Sequence, residues 1–258
     1  MTTQRVRRLA VALVLPLLAS CNRAPGRPAE GSEVPAPTEV TDFRVLYAAN
    51  CSGCHGREGR GGAAIGLADP VYLAIADDAA IRGTIAGGVR WTAMPAFAQS
   101  AGGMLTEAQI EAITKGIRSW SRPGALNGAA PPARTSRSAG DPRRGAGVFG
   151  TYCASCHGPG GEGGPKGSAI ANDAFLALVS DQGLRTLVIA GRPDLGAPDW
   201  RGNIPGRPMS DQEVTDVVTW LVSRRVESPG QPYADSSGAP PRSGEHDAPR
   251  QEDDDVRR

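Results

Sequence analysis

The sequence predicts an all-α chain of two small helical domains in tandem, and three observations predict it. First, the five-residue unit Cys51-Ser52-Gly53-Cys54-His55 recurs as Cys153-Ala154-Ser155-Cys156-His157, 102 residues later, a spacing that suits two domains of below-average size. Second, each copy lies among short apolar segments at helical spacing that open on capping residues. Third, Gly is abundant at 34 residues and aromatics make up only 5%, so side chains alone would struggle to fill two cores. Net charge is +1, from 28 basic and 27 acidic residues, which gives no global attraction for nucleic acid or another extended polyanion.

Residues 1–21 read as a signal segment. Arg5, Arg7 and Arg8 precede the apolar run Leu9 to Ala19, which is too short to span a bilayer. The Arg7-Arg8 pair is explained by a charged leader. The run ends in Leu18-Ala19-Ser20-Cys21, which resembles the lipobox of bacterial lipoproteins, and this resemblance implies acylation at Cys21 and anchoring by lipid. Residues 22–40 carry four prolines (Pro25, Pro28, Pro35 and Pro37) and read as a flexible tether.

Thr41-Asp42 then caps a helix through Phe43, Val45, Leu46 and Tyr47 into Cys51, and a Gly-rich loop follows His55. A short helix is expected from Asp77-Asp78 through Ile81 to Ile85, and a loop at Trp91 to Phe97. Thr106 opens a last helix carrying Ile110, Ile113 and Ile117, so the first domain covers residues 41–120. Residues 121–140, with Pro123, Pro131 and Pro132, form an interdomain linker. The cycle restarts at Asp141-Pro142, a cap followed by Pro at the first helical position. Phe175-Leu176 answers Tyr72-Leu73, Gly191 answers Gly88, and Met209-Ser210-Asp211 answers Leu105-Thr106-Glu107, with the offset drifting only from 102 to 104. Internal duplication accounts for this, and the second domain covers 141–227. Residues 228–258, with Asp253-Asp254-Asp255, read as a disordered tail.

The repeated unit carries the chemistry. In C-x-x-C-H two thiols add across the vinyl groups of one haem and the adjacent His ligates its iron, so two copies imply two covalently bound c-type haems. Cys51, Cys54, Cys153 and Cys156 form the thioethers; His55 and His157 are the proximal ligands. Zinc would call for further Cys or His ligands, and the one remaining His is His246 in the tail. A thioredoxin-type disulfide would call for a βαβ setting, whereas each motif here follows a helix. With Cys21 assigned to lipid, none of the five cysteines is left for a structural disulfide.

From Asp42 to Trp120, and again from Asp141 to Arg225, the sequence resembles class I cytochrome c domains. That resemblance implies an N-terminal helix bearing the haem motif, a C-terminal helix packed across it, and a Met in a Pro-containing loop reaching iron from the opposite face. Met94-Pro95-Ala96-Phe97 fits, making His55 and Met94 the axial pair of the first haem. In the second domain Ala197 stands where Met94 does. Met209, Lys166 or Asn203 as a substitute ligand, or an open sixth position, all stay in play, with Met209 preferred. The family's Gly-aromatic contact between first and last helices is kept as Gly145 and Trp220, whereas the first domain has Phe43 and Gly116, so contact between Phe43 and Gly116 is expected. Trp91, Phe97, Trp200, Tyr47 and Phe149 are expected to line haem or core.

The expected function is a dihaem electron carrier, lipid-anchored in the bacterial periplasm or on the cell exterior. It would pass electrons from a quinol-oxidising complex or dehydrogenase to a terminal oxidase or reductase. The alternatives are a dihaem enzyme or ligand-binding protein using an open position on the second haem, or the cytochrome subunit of a larger dehydrogenase or oxidase.

Overall fold

Each expected helix begins at a side chain able to cap it. In the computed structural model, which describes residues 34–226, the Asp42 carboxylate accepts from the Val45 N–H at 3.0 Å and opens α1 (Phe43–Asn50). The single turn α2 (Ser52–His55) follows directly. Asp69 caps α3 (Pro70–Ile75), with Pro at its first position, and Asp77 caps α4 (Asp78–Gly87). Thr106 and Gln109 form a capping box on α5 (Glu107–Arg118). The second domain repeats the set: α6 (Pro142–Tyr152) under Asp141, α7 (Ala154–His157), α8 (Asp173–Leu178) under Asn172, α9 (Asp181–Ala190) under Ser180, and α10 (Asp211–Val222) with a Ser210–Glu213 box. Among the described residues there is no strand beyond the isolated bridges Ala98–Leu105 and Arg192–Ala197.

Residues 1–40 form a separate unit, of which 34–40 are described and hold one 3₁₀ turn, Pro37–Glu39. The Glu39 carboxylate accepts from the Ala36 N–H at 2.9 Å. The leader with Cys21 and the tail with His246 lie outside the described residues.

In each domain the last helix crosses the first at a glycine. A Cβ built at Gly116 on α5 would fall 2.0 Å from Phe43 Cδ2, and one at Gly145 on α6 would fall 2.7 Å from Trp220 Cβ and 2.1 Å from the Asp216 carbonyl. Phe43 and Gly116 therefore touch as the sequence leads one to expect, with the bulk on the opposite helix from the second domain. Trp120, just beyond α5, closes the first cluster edge-on to Phe43 and Tyr47, at ring separations of 5.2 and 5.0 Å. In the second, Phe149 and Trp220 pack with their rings tilted by 35° at a centroid separation of 4.3 Å.

The domains meet through α3 and α9, and Val71 joins the hydrophobic cluster of Phe149, Leu176, Leu184 and Trp200. The 121–140 segment has no helix of its own, yet its backbone is tied to the second domain. Arg185, 4% exposed, donates through Nε to the Ala133 and Arg134 carbonyls at 3.0 and 3.1 Å. Its Nη1 and Nη2 reach Thr215 Oγ1 at 2.9 Å and the Asp211 carboxylate at 2.5 Å. Leu126 and Ala129 of this segment pack against the hydrophobic cluster, and the buried guanidinium gives the carbonyls of residues 133–134 the partners that burial demands.

Candidate haem sites

Both motifs are built the same way. The Cys54 and His55 amides donate to the Cys51 carbonyl at 3.2 and 3.0 Å, and those of Cys156 and His157 to the Cys153 carbonyl at 3.1 and 3.0 Å, which gathers two thiols and an imidazole on one helical turn. His55 Nδ1 lies 2.8 Å from the Ile65 carbonyl, and His157 Nδ1 2.7 Å from the Ser168 carbonyl. A carbonyl only accepts, so Nδ1 carries the proton and the Nε2 lone pair is left for a metal. Burial disfavours the His55 imidazolium, with the Ile65 carbonyl opposing and the Arg192 charge adding to the effect.

The loops returning to the histidines are pressed against the motifs. A Cβ at Gly62 would sit 2.2 Å from the Cys54 carbonyl, and one at Gly167 would sit 2.9 Å from His157 Nδ1. Burial first, and the neighbouring Cys54 and Cys156 second, push the Cys51 and Cys153 thiols up to about 11, so both are neutral thiols at physiological pH. All four motif cysteines are free. Paired thiols and an imidazole presented by Nε2 are the donor set that covalent haem requires, and the residues fit the group twice.

The opposite loops diverge within a shared frame. In the first domain the Phe97 N–H donates to the Ile85 carbonyl at 3.1 Å, and the Leu105 N–H to the Phe97 carbonyl at 2.8 Å. In the second, the Trp200 N–H donates to the Ile189 carbonyl at 3.0 Å and the Met209 N–H to the Trp200 carbonyl at 2.9 Å. Gly88 and Gly191 take the same left-handed conformation, φ 64° and 65°, and a Cβ on either would stand 2.8 Å from the carbonyl of Met94 or Ala197. Ala197 thus occupies the place of Met94. Met209 occupies that of Leu105, 3% exposed in the second domain's hydrophobic cluster. Asn203 Nδ2 lies 4.0 Å from Met209 Sδ and 3.4 Å from the Asp199 carbonyl, while Lys166 sits in the Gly164–Gly167 turn that folds against His157.

Of the aromatics, Tyr47, Phe149 and Trp200 are buried, Phe97 is half-buried and Trp91 is exposed. Trp91 is 85% exposed at φ 61°, in the turn that the Thr92 N–H closes on the Val89 carbonyl. There the Arg90 guanidinium lies 5.5 Å from its ring centroid.

Two residues near the first site escaped the sequence reading. Arg192 Nη2 donates to the Gly62 carbonyl at 2.6 Å, and Asp194 Oδ2 accepts from the Gly61 N–H at 3.0 Å. The two side chains pair at 2.8 Å, and this pairing first, with the Gly61 N–H as a further donor, holds the Asp194 carboxyl below its usual range. They border a cleft of about 220 Å³ that Arg60, Ile65 and Asp69 complete. Nothing in Gly191-Arg192-Pro193-Asp194 announces a contact across 130 residues of sequence.

The fold and the paired donor sets define a c-type cytochrome with two haem domains. The model of cytochrome c oxidase, cbb3-type, subunit III matches residues 38–115, and that of cytochrome c matches residues 142–225. With two tandem cytochrome c domains, the chain belongs to the dihaem class I cytochromes c and carries two covalently bound c-type haems. No curated protein matches the chain. Among solved structures it is similar to a chain of the reducing HAO-like protein complex of Kuenenia stuttgartiensis: TM-score 0.41, 20% identity, covering 75% of this chain and 100% of that one. It is also similar to the thiosulfate dehydrogenase TsdBA of Marichromatium purpuratum, with TM-score 0.27 and 19% identity, covering 76% of this chain and 48% of that one.

Proposed function

We propose that this chain is a lipid-anchored electron carrier whose two haem domains work as one unit. It would accept electrons from a quinol-oxidising complex or dehydrogenase and deliver them to a terminal oxidase or reductase at a bacterial periplasmic membrane or cell exterior. The observation that carries the reading is the pair of identical donor sets, each with its imidazole oriented by a backbone carbonyl, inside domains that touch. Haem bound there supplies a reversible one-electron ferric/ferrous couple. His55 and His157 present Nε2 to iron, Ile65 and Ser168 hold those rings in orientation, and the four cysteines fix the group covalently. Met94 offers a thioether from the facing loop of the first domain, a soft ligand that favours the ferrous state.

Leu18-Ala19-Ser20-Cys21 supports the anchor. Among the described residues no helix is long and apolar enough to cross a membrane. The test is a reductive titration of the full chain with membrane fractionation. Uptake of about two electrons per chain, with release from the membrane on Cys21→Ser, is expected. Uptake of one electron would sink the dihaem carrier, and unchanged membrane retention would sink the anchor.

A second reading is favoured by one observation: Ala197 fills Met94's frame while Met209 is in Leu105's. On it, the second domain supplies no axial side chain opposite His157, and a small ligand takes that place. A high-spin ferric signal from one haem, converted by cyanide and untouched by Met209→Leu, is the expected result. Loss of a low-spin signal in Met209→Leu would restore Met209 as ligand.

A further inference from the structure

The loop that carries Met94 in the first domain carries no such ligand in the second, and it makes a contact there that its counterpart does not. Arg192 and Asp194, both at its start, reach the first domain's Gly61–Ala63 loop: Arg192 Nη2 to the Gly62 carbonyl at 2.6 Å, Nη1 to the Ala63 carbonyl at 3.4 Å, and the Gly61 N–H to Asp194 Oδ2 at 3.0 Å. Two residues further on, the Ile65 carbonyl orients His55. The pair is fixed by two mutual hydrogen bonds, Nε to Oδ1 at 3.0 Å and Nη2 to Oδ2 at 2.8 Å. Their side chains are 13% and 20% exposed, so water screens these charges less than it would on an open surface. In the first domain the equivalent positions, offset by 103, are Val89 and Trp91, so this bracket belongs to the second domain alone.

We propose that Arg192 and Asp194 are positioning residues through which the second domain sets the reduction potential of the first haem. The proposal rests on His55 being that haem's proximal ligand. Arg192 places a positive charge beside the His55 loop and so opposes the extra positive charge of the ferric state. Asp194 places a negative charge on the same loop and supports it. As a pair they nearly cancel, and each masks the other's field. The bracket also ties the distal-side loop of one haem to the proximal-side loop of the other, a direct protein link between the two centres.

Opposite signs make this testable. In potentiometric titrations of the full dihaem chain, Arg192→Gln leaves Asp194 unpaired and lowers the first haem's midpoint. Asp194→Asn leaves Arg192 unpaired and raises it. Each changes the ferric-to-ferrous ratio at fixed ambient potential on the order of threefold. Arg192→Lys keeps the charge and stays near the wild type. The second haem moves less than the first, and the shifts shrink as salt is raised. Shifts of the same sign in both variants, which a loosened interface would give, overturn the proposal, as do no shift in either or a larger shift at the second haem. The wild-type spectrum checks His55 separately: a first haem without histidine ligation would remove the premise rather than the bracket.

Discussion

The two domains meet one packing requirement with the bulk on opposite sides. In the first, Phe43 of α1 lies over Gly116 of α5; in the second, Trp220 of α10 lies over Gly145 of α6. The same inversion of circumstance affects a charge. Arg82 bonds Glu107 and lies 3.9 Å from Glu111 on an exposed surface. Its counterpart Arg185 bonds Asp211 and Thr215, the residues at the positions of Glu107 and Glu111, but beneath residues 133–134. Duplication has preserved the summed volume at the crossing and the direction of the ion pair, while the residues and their exposure changed. Where volume and charge relation are kept, the fold tolerates the exchange. At Met94 and Ala197 neither size nor chemistry is kept, and there the second reading proposed above has the two halves differ in function.

That last difference predicts the largest effect. Met94→Ala should remove the sixth ligand proposed for the first haem and give it the open-site spectrum expected of the second, while Ala197→Met should supply a thioether to the second. The ferric visible and electron paramagnetic spectra report both. A first haem indifferent to Met94→Ala would end the assignment.

The helix crossings come next. Gly145→Ala puts a methyl 2.1 Å from the Asp216 carbonyl, which belongs to a helix backbone and cannot turn away. A loss of about 3 kcal/mol is expected. At Gly116→Ala the three nearest atoms all belong to the Phe43 ring, whose torsions give some relief, so the change should cost about 1 kcal/mol, recovered in part when Phe43 is shortened to Leu. Thermal unfolding of the three variants measures this, and equal losses at Gly145 and Gly116 would show that the two crossings are not the inversion described.

Much of this was legible in the chain. Asp42, Asp77, Thr106 and Asp141 mark helix starts because a short oxygen-bearing side chain satisfies otherwise bare N–H groups, a local property that sequence carries. Cys-x-x-C-His needs only one turn of helix to assemble its donors. The Arg192–Asp194 bracket and the buried Arg185 were not legible, since both depend on which backbone another segment brings to a guanidinium. Arg118 and Arg225 show the same limit. Each donates to two carbonyls and a carboxylate at corresponding places, Leu73, Ala76 and Asp78 or Leu176, Val179 and Asp181. Yet Arg118 ends its helix while Arg225 lies three residues past the end of α10, so no alignment of the halves pairs them.

The ion pairs rank below the crossings. Arg185→Met strands the Ala133 carbonyl and leaves the Arg134 carbonyl to Gln182 Nε2 and the Asp211 carboxylate to the Ala133 N–H, for a loss of about 2 kcal/mol. Arg82→Met removes an exposed pair and should cost about 0.5 kcal/mol at most. Proteolysis around residues 129–139 provides a second readout, rising in Arg185→Met alone.

The smallest effect separates the domains by pH. Asp216 accepts from Arg144 Nε and Nη2 at 2.7 and 2.8 Å, from the Asp141 N–H at 2.8 Å and from Gln212 Nε2 at 2.9 Å. The Arg144 hydrogen bonds above all hold its carboxyl below the ordinary value against the opposing cost of burial. At the corresponding place in the first domain stands Ala112, which cannot titrate. A carboxyl depressed by folding stabilises fully above its unfolded value near pH 4, and the contribution drains away as pH falls through the lower folded value. The second domain should therefore soften first on acidification below about pH 4. Asp216→Asn should be less stable at neutral pH and show a shallower loss in acid. An acid limb identical in wild type and Asp216→Asn would place the sensitivity elsewhere and remove this distinction between the domains.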